Sequence, residues 1–451
     1  MFGWQLNRGP DIRPEFVPAD RFRLALERPD LIGNLLESGN IANAFEKVAI
    51  QIPGGPDGLL TRFLALQPSI EIVSPKVTDR IQGNRTRLQA KVRVTNGQTI
   101  GSPQAFVNGV IATNFRTVGN TSGAIDPSDA SKRVFTYEWD AMLPSDPKLK
   151  VQVYASTQER HIGVGEVVLE RIPSDLKKPS AAPLPNVYVL AAGVSEYRDP
   201  TLSLSRASDN ATEMAEVLAN NSIRQMTSRV SVLIDSMVTP AAWRASVESL
   251  AERLAGRVSP DDLVLIYLTG HGVIDPTTKE YHFVTSRASM RDVMAARYED
   301  CISLSDLSSL KQVACKKLVI LDTCHSGAAQ QLAPSQLKYA VRNLQDDKMF
   351  VMTASEGDQL AFEGAFSQPL IKALEGDADF DRNRIVSIRE VFDYIRTSMR
   401  KQSQSQFPTL GPVDLIDLVN FPIVRSGRTE KLTGHKQIPA TKLNPQIYFS
   451  R

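Results

Sequence analysis

Five short apolar runs in the second half of the chain, at 187–191, 230–234 (interrupted only by Ser231), 263–268, 318–321 and 350–352, constrain its fold more than any other feature. A strand with one wet face alternates apolar and polar residues. A strand that is apolar throughout needs cover on both faces, as in a parallel sheet with helices above and below it. Helical stretches do lie between these runs, at 209–219 and in the segment after Thr239. There Thr239 is placed to cap a helix and Pro240 to take its first position, where a missing N–H costs little. The expectation is an α/β/α sandwich on a mainly parallel sheet.

The first half follows a different period. Across 86–95, Leu88, Ala90, Val92 and Val94 alternate with Gln89, Lys91, Arg93 and Thr95, the pattern of a half-buried strand. Within 106–111, Asn108-Gly109 readily supplies the positive φ angles of a tight hairpin turn. Further strands are expected at 70–73, 134–139, 149–155 and 162–169. About seven short strands in about 100 residues suit an all-β, immunoglobulin-like sandwich. Ahead of them, Ile41, Phe45 and Val48 recur at helical spacing within an otherwise polar lead. Between the halves, Pro173, Pro179, Pro183 and Pro185 favour an extended connection. The expected divisions are a helical or irregular lead (1–66), the sandwich (67–173), a proline-rich linker (174–185), the α/β unit (186–424) and a polar tail (425–451).

Composition removes several classes of function. Hydrophobic residues at 42 % with 23 % charged residues describe a folding chain rather than a disordered one. Lys+Arg of 52 against Asp+Glu of 50 leaves +2, which argues against a strongly basic nucleic-acid surface. No apolar run is long enough to span a bilayer, and no basic segment followed by an apolar one marks secretion. Neither nucleic acid nor a membrane is therefore an expected partner, and the cytoplasm is the expected location. Cys301, Cys315 and Cys324 are too few for a disulfide framework and lack zinc-site spacing.

Two of the apolar runs end in reactive residues. Thr269-Gly270-His271-Gly272 follows one, and Asp322-Thr323-Cys324-His325-Ser326-Gly327 follows another, so each places its reactive side chain on a turn at a strand end. In open α/β sheets the working crevice lies beyond the carboxyl ends of the strands. If the two strands are neighbours, an imidazole meets a thiol there and raises its thiolate fraction. Flanking glycines let backbone amides approach a developing oxyanion. A phosphatase loop needs arginine six residues after its cysteine, and here that residue is Gln330. Cys301 and Cys315 read as inert core cysteines, and His282 and His325 as structural histidines.

Tyr267-Leu268-Thr269-Gly270-His271-Gly272 and Asp322-Thr323-Cys324-His325-Ser326-Gly327 resemble the two catalytic motifs of caspase-like cysteine proteases (peptidase C14), in particular the metacaspase and bacterial branch. His271 precedes Cys324 by 53 residues, close to the interval of about 50 in caspases. The resemblance extends over 186–424 and implies the caspase fold, with Cys324 as nucleophile, His271 as general base, and the amides of Gly272 and Cys324 as the oxyanion hole. No cofactor is expected to be required, and the sequence nominates no third triad member. Caspases proper carry glutamine two residues before the nucleophile; here the residue is Asp322, which in metacaspases lines the primary specificity pocket with a second acid, matched by Asp209. Two carboxylates in a desolvated pocket select a cationic side chain, so cleavage after Arg or Lys is expected. The alternative for Asp209 is a helix N-cap.

Asp379, Asp381, Asn383, Ser387 and Glu390 follow the spacing of a calcium loop, with Arg384 where the sharp turn ordinarily has glycine. A capping box, Ser387 with Glu390, is the competing reading. An enzyme cutting after basic residues could process itself at Lys177, Lys178, Lys338 or Arg342. The resemblance points to a regulatory cysteine endopeptidase acting on protein substrates, in a bacterial defence or regulated cell-death pathway, with the β unit binding a regulatory protein partner. The alternatives are a catalytically silent scaffold on the same fold and an Asp-specific caspase.

Overall fold

A computed structural model describes residues 3–6, 15–18, 66–171 (save 80, 82, 159 and 160), 185–221, 228–324 (save 276 and 279), 344, 348–354, 364–402, 408–411 and 421–424. Two short antiparallel strands, β1 (Gly3–Leu6) and β2 (Glu15–Pro18), lie in the lead expected to be helical or irregular. The helical spacing of Ile41, Phe45 and Val48 lies outside the described residues. Two compact units make up the chain: Met1–Val107 with Ala112–Ala141 and Pro147–Ile172, and Asn108–Ile111 with Met142–Asp146 and Pro173–Arg451.

The strands between residues 66 and 171 form two sheets. One sheet contains β3 (Ser69–Ser74), β4 (Arg85–Thr95), β7 (Thr113–Val118), β8 (Ala124–Asp126) and β9 (Asp129–Met142). The other contains β5 (Gln104–Val107), β6 (Val110–Ile111), β10 (Lys148–Ser156) and β11 (Ile162–Glu170). Leu88, Ala90, Val92 and Val94 of β4 are all buried, as their alternation requires. Asn108 and Gly109 adopt φ of 47° and 78° in the turn joining β5 to β6.

The downstream sheet runs in the order β13 (Ser228–Ile234), β12 (Val187–Gly193), β14 (Leu263–Ile274), β17 (Lys316–Cys324), β18 (Phe350–Thr353), β20 (Thr409–Gly411). The first five are mutually parallel and β20 is antiparallel to β18. Successive side chains of β12 enter opposite cores: Leu190 and Ala192 join Trp243 and Val247, whereas Val189 and Ala191 join Met214 and Leu218. The first core is roofed by α2 (Pro240–Leu254), the second by α1 (Ala207–Asn221), α4 (Ser367–Lys372) and α5 (Ile388–Gln402). A short α3 (Met290–Met294) lies on the connection between β14 and β17. Thr239 caps α2 by accepting from Ala242 N at 3.1 Å, with Pro240 at its first position. The burial that makes each strand apolar on both sides is thus supplied by helices on both faces.

One expectation is corrected. His271 does not sit on a turn after its strand: β14 continues through it to Ile274. Gly272, Val273 and Ile274 pair antiparallel with β15 (Tyr281–Val284), which pairs in turn with β16 (Cys301–Ser303). The extension satisfies backbone groups that a turn would leave to solvent. Short strands β19 (Val386–Ser387) and β21 (Pro422–Val424) form a separate pair. Among the described residues, no helix is long and apolar enough to cross a membrane.

Candidate active site

β14 and β17 are parallel neighbours, and their register pairs His271 with Cys324, the last residue of β17. Adjacent strands lie about 4.8 Å apart, so the two backbones that carry these residues are as close as a sheet allows. His271 is 3 % exposed. Its Nε2 lies 2.8 Å from the carbonyl oxygen of Leu202. A carbonyl can only accept, so Nε2 carries the hydrogen and Nδ1 is the basic nitrogen of the neutral ring. Tyr197 fixes the same residue from another side: its hydroxyl accepts from His271 N at 3.1 Å, and its ring lies 5.2 Å from the imidazole.

The glycines beside His271 serve this packing. Gly270 has φ of 150°, and a Cβ there would come within 3.0 Å of Tyr197 Oη and 3.1 Å of the Phe283 ring. A Cβ on Gly272 would stand 2.4 Å from Tyr281 Oη. Gly272 pairs with Phe283 of β15.

Leu202 closes a short helical turn, Pro200–Leu202, whose cap is Asp199. Asp199 accepts from Thr201 N at 3.1 Å and, through its other oxygen, from Met290 N at 3.1 Å. Hydrogen bonds to Thr201 and to the Met290 amide hold its carboxyl below the usual range. A backbone carbonyl carries no residue-type signal, which is why Leu202 is invisible to motif reading.

Asp322, two residues before Cys324, is 5 % exposed. Its Oδ2 accepts from Tyr267 Oη at 3.0 Å, from Thr269 Oγ1 at 3.4 Å and from Ser367 Oγ. Asp209 is different. It is the third residue of α1 rather than its cap, and it is exposed. The α1 side chain in the buried network is the next one: Asn210, 1 % exposed, donates to Ser367 Oγ at 2.9 Å. The pair of buried carboxylates expected from Asp209 and Asp322 is therefore one buried carboxylate, Asp322, with an amide in its network.

The other two cysteines are chemically quiet. Burial pushes the Cys301 thiol up to about 12 and the Cys315 thiol up to about 11. The His282 ring stacks on Tyr298 with centroids 4.2 Å apart, and burial lowers its pKa despite nearby Glu280, Asp275 and Asp306. Lys177, Lys178, Lys338, Arg342 and His325 lie outside the described residues.

In the acidic loop, carboxylate oxygens of Asp379, Asp381 and Glu390 lie within 4.8 Å of one another. Arg384 takes φ of 67°, the conformation glycine would supply, and its amide donates to Asp379 Oδ2 at 3.1 Å. Asn383 donates to Asp381 and accepts from Ile385 N. Ser387 and Glu390 form the reciprocal capping box, at 2.8 Å and 3.3 Å. The cap is present, and Asp379 Oδ2, Asp381 Oδ1 and Asn383 Oδ1 each accept from a backbone amide of the loop.

A parallel sheet covered on both faces, with histidine and cysteine in register on its two central strands, is an α/β/α sandwich. The family model described as the caspase domain, Peptidase_C14, matches residues 187–440. The chain belongs to the caspase family. Among solved structures, it is similar to caspase-1 from Spodoptera frugiperda (10 % identity, 55 % of this chain and 96 % of that one, TM-score 0.36). It is also similar to the Drosophila initiator caspase Dronc (9 %, 52 % and 87 %, TM-score 0.32) and to a Geobacter sulfurreducens protein (17 %, 54 % and 100 %, TM-score 0.37). No curated protein matches it in sequence.

Proposed function

We propose that the caspase-family unit is an active cysteine endopeptidase that cuts protein substrates after Arg or Lys. The observation that carries this is the register of His271 with Cys324, combined with the Nε2 contact that leaves Nδ1 basic. Nδ1 takes the proton from the Cys324 thiol, and the thiolate attacks the scissile carbonyl. The amides of Gly272 and Cys324 stabilise the oxyanion. His271 then protonates the departing amine, and water hydrolyses the acyl-enzyme by the reverse proton path. The Leu202 carbonyl supports the imidazolium as it forms, in the place where a carboxylate stands in a serine-protease triad.

A buried carboxylate at Asp322 favours a cationic side chain on the acyl side of the bond, with Asp209 in the first turn of α1 adding exposed negative charge. The specificity implies self-processing at Lys177, Lys178, Lys338 or Arg342. The resemblance to bacterial relatives supports a cytoplasmic role in defence or regulated cell death, with the immunoglobulin-like β unit receiving a regulatory protein.

Fluorogenic peptides ending in Arg, Lys and Asp test the reading with wild type and Cys324→Ala. Cleavage of Arg and Lys peptides by wild type alone is expected. Activity confined to Asp peptides would sink the specificity, and equal activity in Cys324→Ala would sink the mechanism.

A further inference from the structure

The partners of Asp322 form a directed chain that runs from α4 to α1 and back to α4. Gln368 Nε2 donates to Asn210 Oδ1 (3.3 Å), Asn210 Nδ2 donates to Ser367 Oγ (2.9 Å), and Ser367 Oγ donates to Asp322 Oδ2. A hydroxyl has a single hydrogen. With the Asn210 amide on one of its lone pairs, Ser367 commits that hydrogen to the carboxylate, and the dipoles along the chain add toward Asp322. Asn210 and Ser367 are each 1 % exposed, so water does not compete for these bonds.

From the neighbouring strand, Tyr267 and Thr269 of β14 meet the same oxygen. Burial, reinforced by the Asp322 charge, holds the Tyr267 phenol well above its ordinary value, so it stays a donor. Three neutral hydroxyls thus converge on Oδ2 from a strand and a helix. Such contacts stabilise an anion and fix its plane without cancelling its charge.

We infer that Ser367, oriented by Asn210, is a positioning residue for substrate selection, holding Asp322 as the fixed anion that a cationic substrate side chain meets. This rests on the reading of Asp322 as the selecting carboxylate. No sequence motif singles out Ser367 or Asn210; α4 and α1 bring them to β17.

The test measures kcat and KM on paired peptides ending in Arg or in citrulline, its uncharged isostere, using the full chain. Ser367→Ala lowers the Arg-to-citrulline ratio of kcat/KM about tenfold, the loss of one hydrogen bond to a charged group, and does so mainly through KM. Ser367→Thr, which keeps the hydroxyl, stays within about twofold of wild type, whereas Asn210→Ala loses about threefold. Asn210→Ala also keeps the test open should Ser367→Ala fail to fold. Asp322→Asn is the control and abolishes the preference for Arg. A lost preference in Asp322→Asn with an unchanged ratio in Ser367→Ala and Asn210→Ala overturns the positioning role alone. A preference retained in Asp322→Asn overturns the reading of Asp322 and the positioning role with it.

Discussion

The reactivity of a cysteine here is decided by what surrounds it. Cys301 and Cys315 sit in the core with thiols pushed up to about 12 and about 11, while Cys324 ends β17 in register with His271. Iodoacetamide at pH 7.5 is expected to alkylate one cysteine per native chain, and Cys324→Ala is expected to abolish the labelling, read by intact mass; modification of Cys301 or Cys315 would contradict it. The same thiols make stability fall in alkali. Unfolded cysteine ionises near 9.0, so between about 9 and about 11 the unfolded state holds fewer protons than the native one and ΔG decreases as pH rises. Melting temperatures from pH 8 to 10.5 should decline, and Cys315→Ala should flatten part of that slope.

Caps and extensions matter at the scale of the element. The capping box on α5 joins Ser387 and Glu390 reciprocally, and Thr239 caps α2. Glu390→Ala and Thr239→Ala should each cost about 1 kcal/mol in denaturant unfolding, a size typical of such caps. A far smaller effect for Glu390→Ala would mean the box contributes little. These caps were legible because a cap is a local pattern of residue types. The continuation of β14 through His271 was not, because it depends on β15 and β16 arriving from later in the chain. Gly270 and Gly272 suggest a turn when read locally, and only Tyr197, Phe283 and Tyr281 packed around them show why side chains are excluded.

Across the caspase-family unit, five parallel strands share two cores, and the site lies where β17 ends beside β14. A ligand held there should stabilise the whole unit. A reversible Arg-aldehyde peptide at a hundredfold excess over its Kd is expected to add about 2.7 kcal/mol to unfolding, seen as a raised Tm that is lost in Cys324→Ala. Much of this architecture could be read from residue types. Short, almost wholly apolar runs required a doubly covered sheet, and the Thr-Gly-His-Gly and Asp-Thr-Cys motifs nominated His271 and Cys324. Residue types also showed Asp322 two places before the cysteine, and the same two motifs carried the family resemblance. The tertiary structure alone decided which strands are neighbours, that the Leu202 carbonyl orients the imidazole, and that Asn210 rather than Asp209 enters the buried network around Asp322. The physical reason is common to all three. Burial period and cap chemistry are written within a few consecutive residues, whereas a hydrogen bond between groups up to 157 residues apart exists only once packing has brought them together.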